Sequence, residues 1–134
     1  MKTAIPNVGE IAGAWNVKRQ YLARALADRH AIRGGFRSVT HVLTIAWTAD
    51  CLHVLRLRGA TFRSLGPDAP DAFARWWKGE RPQASGIAST VVVFDPIDRP
   101  RAPTWATLDD LGGLRPRHRG YADLLGELRD AGRA

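Results

Sequence analysis

Apolar positions change their spacing along the chain, and each change predicts a different element. Asn7 followed three residues later by Glu10 is a capping-box pair, which starts a helix at Val8. That helix is expected to end near Trp15. Asn16 tolerates the left-handed backbone of a tight turn. A second helix is then expected from Val17 or Lys18 to His30, with Leu22, Ala25 and Leu26 on its inner face, stopped by Gly34-Gly35. From Val39 the period becomes two: Val39, His41, Leu43, Ile45 and Trp47 alternate with Thr40, Val42, Thr44, Ala46 and Thr48. With Thr48-Ala49-Asp50 as a turn and Cys51 to Leu57 as a second strand, residues 39–58 read as a β-hairpin.

Gly66-Pro67-Asp68-Ala69-Pro70 breaks the chain, and a short helix from Asp71 puts Phe73, Trp76 and Trp77 on one face. Adjacent tryptophans cannot both enter one core, so one of this pair is expected near the surface, where it would suit a protein contact. A loop at 79–86 precedes Ser89-Thr90-Val91-Val92-Val93-Phe94, a continuous apolar run that reads as a buried central strand. Asp95-Pro96 ends it, and the prolines of 95–103 stiffen the following surface segment. Thr104 can cap a short helix through Trp105, Leu108 and Leu111 that stops at Gly112-Gly113. A basic linker, 115–119, leads to a last helix with Tyr121, Leu124, Leu125 and Leu128 on one face.

These elements predict one α+β domain over 1–134: an N-terminal helical pair at 8–30, then an α+β remainder at 39–134. The sheet is expected to be small and mostly antiparallel, built from the hairpin 39–58 and the central strand 89–94, with short helices on one face. The length of 134 residues agrees with a single domain. No apolar run approaches the ~20 residues of a membrane span, and Met1 to Pro6 lacks the apolar centre of a signal peptide. A single cysteine, Cys51, excludes an intramolecular disulfide. The chain is expected in the cytoplasm, with no membrane partner.

Charge adds a partner. Lys and Arg total 20 against 13 Asp and Glu, a net charge of +7. All but Lys2, Lys18 and Lys78 of these cations are arginine, the side chain suited to bidentate phosphate and guanine contacts. A net positive field of this size points to a polyanion.

Residues 8–27 resemble the helix-turn-helix of DNA-binding proteins. Ala12 stands where that family keeps a small residue at the helix crossing. Asn16 replaces the usual turn glycine, and Val17 and Leu22 match its buried aliphatic positions. The resemblance implies that helix 18–30 reads duplex DNA in the major groove. Arg19 would meet guanine and Gln20 adenine, beside Tyr21 on the same exposed start of the helix, while Lys18 and Arg24 would meet phosphates. Arg115, Arg117 and Arg119, with Arg99, Arg101 and His118, form a second basic stretch able to track a phosphate backbone. The reading is a double-stranded DNA-binding protein, a transcriptional regulator or mobile-element accessory factor, acting as a homodimer or within a larger complex. The alternative is a structural or adaptor subunit that meets nucleic acid non-specifically.

Catalysis is not expected. Cys51 and His53, on one strand face, lack a third group to orient a base, and with His41 they lack metal-ligand spacing. Asp95 and Asp98 stand without the second acidic cluster of a metal-dependent nuclease. No phosphate-binding loop follows Gly34-Gly35 or Gly112-Gly113. No cofactor or metal is assigned.

Overall fold

The alternating stretch forms the edge of a parallel pair, not the first arm of a hairpin. In the computed structural model, which describes residues 1–81 and 85–133, strand β1 (Ser38–Ala46) runs parallel to β2 (Gly86–Phe94), with Ser38 opposite Gly86 and Ala46 opposite Phe94. The short β3 (Trp105–Thr107) pairs antiparallel with the end of β2, giving the order β1-β2-β3. The chain is thus mixed α+β, with a three-stranded sheet that is mainly parallel. Parallel neighbours need a long crossover. Helices α2 (Ala49–Leu57), α3 (Gly59–Leu65) and α4 (Asp71–Trp77) supply it.

Two expected elements are replaced for local reasons. Residues 51–57 are helical because Thr48 caps α2, its hydroxyl accepting the Cys51 N–H at 3.1 Å. Cys51, Leu52 and Leu55 then share the buried face; a seven-residue segment with five apolar positions satisfies either period, and the cap decides. At the N-terminus a single helix, α1 (Val8–Arg29), runs unbroken through Asn16. The start is as expected, Asn7 Oδ1 accepting the Glu10 N–H at 3.1 Å. The turn is not formed. Asn tolerates left-handed backbone without requiring it, and its helical cost of under ~0.7 kcal/mol is outweighed by flanking Ala, Leu, Arg and Lys. The helical pair is therefore one helix, and the helix-turn-helix backbone expected at 8–27 is absent from it.

The core lies on the sheet face that carries Leu43, Ile45, Val91, Val93 and Ala106. Onto it pack Ile11 and Trp15 of α1, Leu52 and Leu55 of α2, Phe62 and Leu65 of α3, and Leu124 of α5 (Tyr121–Arg133). Strands alternate, so Phe94 and Trp105 face the other way. There Trp105 meets Phe73 of α4 (ring centroids 4.8 Å apart) and Phe94 meets Trp77 (6.1 Å). Helices thus cover both faces, which is why β2 is buried from Ser89 to Val93. Both Trp76 and Trp77 keep large exposed surfaces, 67% and 45%. Trp105 belongs to β3, and the helix expected there is a 3-10 segment (Leu108–Gly113) that begins only after it. Of the loop expected at 79–86, positions 82–84 lie outside the described residues.

Candidate functional site

Beyond Trp15, α1 packs little. Its buried residues are Ile11, Trp15 and Ala27, while Val17, Tyr21, Leu22 and Leu26 are exposed. The Trp15 indole N–H donates to the Leu65 carbonyl at 2.9 Å and pins the helix where it leaves the core. Arg19 donates to the same carbonyl at 3.0 Å, so it is an anchor as well as a charge. Lys18, Gln20 and Arg24 are exposed. Arg24 pairs with Asp28 at 3.6 Å, both side chains largely in water, a contact that leaves the guanidinium accessible. Sequence reasoning missed that the charge continues past the helix: Arg29, Arg33 and Arg37 are exposed as well. Between 18 and 37 stand Lys18, Arg19, Arg24, Arg29, Arg33 and Arg37 against Asp28 alone, so six cations less one anion give +5 of the chain's +7. Counting charge by segment would have found it.

The second basic stretch is divided by its packing. Arg115 and Arg119 are exposed, but Arg117 is turned inward. Its guanidinium lies 3.7 Å from the centroid of the Trp47 ring, and Nη1 donates to Asp95 Oδ2 at 3.2 Å and to the Pro103 carbonyl at 2.7 Å. This segment docks beside the end of β1: the Trp47 indole donates to the Arg115 carbonyl at 2.9 Å, and the Ala49 N–H to the His118 carbonyl at 2.8 Å. Arg117 is thus engaged inside the protein, unlike its exposed neighbours Arg115 and Arg119.

What the inward turn builds is a buried ionic cluster past the C-terminal ends of β1 and β2. Asp95 is fully buried. Its Oδ1 accepts from His118 Nε2 (3.0 Å) and the Ile97 N–H (3.1 Å), and its Oδ2 from Arg99 Nε (3.1 Å) and Arg117. Burial pushes the Asp95 carboxyl up, but the hydrogen bonds from His118, Ile97, Arg99 and Arg117 outweigh it and hold the group below the ordinary carboxylate range. On its other side His118 Nδ1 lies 3.0 Å from Glu127 Oε1, and Arg99 Nη2 donates to Glu127 Oε2 at 2.9 Å. Asp123, one turn before Glu127 on α5, accepts the Arg119 N–H at 2.9 Å. One potential ligand atom from each of His118, Asp123 and Glu127 lies within 4.8 Å of the others.

The remaining candidates separate. Cys51 is buried and His53 exposed, two positions apart on a helix instead of sharing a strand face. Burial pushes the Cys51 thiol up, with the Thr48 hydrogen bond opposing and Asp50 adding to it, so the thiol is a poor nucleophile. Asp95 is buried and Asp98 exposed. His41 is buried edge-on to Trp15, centroids 6.1 Å apart, and its Nε2 has no hydrogen-bond partner. Burial first, then the Arg19 charge, lowers its pKa below 6.5.

Compared with protein-family models, curated proteins and solved structures, the chain matches none. Among the described residues no helix is long and apolar enough to cross a membrane.

Proposed function

We propose that this chain is a cytoplasmic protein that binds double-stranded DNA through the exposed half of α1 and the loop after it. The observation that carries the reading is the placement of +5 of the net +7 charge on a helix and loop that barely touch the core. The 22 residues of α1 extend roughly 33 Å, and a major groove, about 12 Å wide, admits an α-helix. Lys18, Arg29, Arg33 and Arg37 suit phosphates. Gln20 and Arg24, one turn apart and both exposed, suit base edges. A role as a regulator or a mobile-element accessory factor follows if those two discriminate between sequences.

The four phosphate-facing cations (Lys18, Arg29, Arg33, Arg37) neutralising four phosphates give a slope of log K against log salt near −3.6. Titrating a fluorescent duplex at several salt concentrations measures it. The double substitution Arg29→Ala/Arg33→Ala should reduce the slope by about 1.8. Gln20→Ala should weaken any preference between duplexes without changing the slope. No salt-dependent binding, or a slope unmoved by the double substitution, overturns the reading.

A second reading has its own observation. Val17, Tyr21, Leu22 and Leu26 expose apolar surface on the same helix, which suits a subunit of a homodimer or a larger assembly. Sedimentation with and without DNA separates a dimer from a monomer.

A further inference from the structure

We propose that His118, Asp123 and Glu127 form a site for a divalent metal of the zinc or manganese class. Metal-binding histidines characteristically hand their second ring N–H to a carboxylate, which fixes the ring and its tautomer. Asp95 holds His118 in that way: the imidazole is fully buried, and Nε2 is fixed at 3.0 Å by a carboxylate that is itself buried. This leaves Nδ1 as the ligand atom, directed at the face of α5 that carries Glu127.

The spacing fits. Nδ1 and Glu127 Oε1 are 3.0 Å apart; two ligands on a tetrahedral ion with bonds of about 2.05 Å stand roughly 3.35 Å apart. An ion held by both atoms requires them to separate by only about 0.35 Å. Glu127 keeps its other oxygen on Arg99 at 2.9 Å, so the ligand carboxylate is oriented from behind, as the histidine is. Asp123, four residues earlier on α5, lies on the same side of the helix. It is exposed, and its ligand atom already lies within 4.8 Å of those of His118 and Glu127. One nitrogen and two carboxylates suit zinc, cobalt or manganese. Glu127 and Asp123 border solvent, which leaves an entry path and room for water on the ion.

Calorimetric titration of the full chain with Zn2+, and the visible absorption of bound Co2+, test this. One metal per chain is expected. Asp123→Ala and Glu127→Gln should each weaken it by about tenfold or more, while His53→Gln, at an exposed histidine, leaves it unchanged. Far-ultraviolet circular dichroism checks that each variant is folded, and Asp123→Asn serves if the alanine form is not. No saturable uptake at micromolar Zn2+, uptake that survives both α5 substitutions, or uptake lost with His53→Gln overturns the proposal.

Discussion

Asp95→Asn keeps the shape of the side chain and removes its charge and one acceptor. In the native cluster each carboxylate oxygen takes two donors: His118 and Ile97 on Oδ1, Arg99 and Arg117 on Oδ2. An amide offers one oxygen and one NH2 group, so whichever way it turns, two donors face another donor. Breaking a buried ion pair by removing one partner costs about 3–5 kcal/mol. The Arg99 side chain is 35% exposed, so water compensates part of its loss and the lower end applies, about 3 kcal/mol. At ~2.1 cal/mol/K per residue the 134-residue chain unfolds with an entropy near 280 cal/mol/K, which converts that cost into a fall of about 11 °C in Tm. Thermal melts at neutral pH, followed by far-ultraviolet circular dichroism, measure it. A fall below about 4 °C, equivalent to ~1 kcal/mol, refutes the view that the cluster locks β2, the 115–119 segment and α5 together.

His41 supplies a pH dependence of known sign. Its folded pKa is lowered from 6.5, so the unfolded chain binds a proton that the folded one rejects; its contribution is complete above pH 6.5 and is lost as pH falls toward the depressed value. In urea unfolding at pH 5 and pH 7, His41→Leu should lose less stability on acidification than the native chain, and equal losses refute the assignment. At Gly66 an added Cβ would stand 2.7 Å from the Thr90 carbonyl carbon and the Val91 nitrogen, backbone atoms that cannot yield. Gly66→Ala should cost about 1–3 kcal/mol. Gly13→Ala, where nothing lies within 4 Å on a helix, should stabilise by roughly 0.5–1 kcal/mol. Denaturant midpoints that move alike in the two glycine variants contradict both.

Signals confined to a few residues determined much of the chain from sequence alone. The Asn7 cap, the apolar run into β2, the break after Leu65 and the stripe that buries Leu124 act over one or two turns, and each element formed where its signal lies. The concentration of charge in 18–37 is likewise a property of the sequence. Tertiary structure alone decided the rest. The Thr48 cap makes 51–57 helical, but that β1 and β2 lie parallel, with this helix in the crossover between them, is fixed only by their pairing. Where α1 leaves the core is set by Trp15, whose indole donates to the Leu65 carbonyl. The ionic cluster joins Asp95, Arg99, Arg117, His118 and Glu127 from three separate segments, in which each residue reads as an ordinary surface charge. A carboxylate at the end of a strand can be buried only when its donors arrive from elsewhere, and their arrival is a fact of the fold.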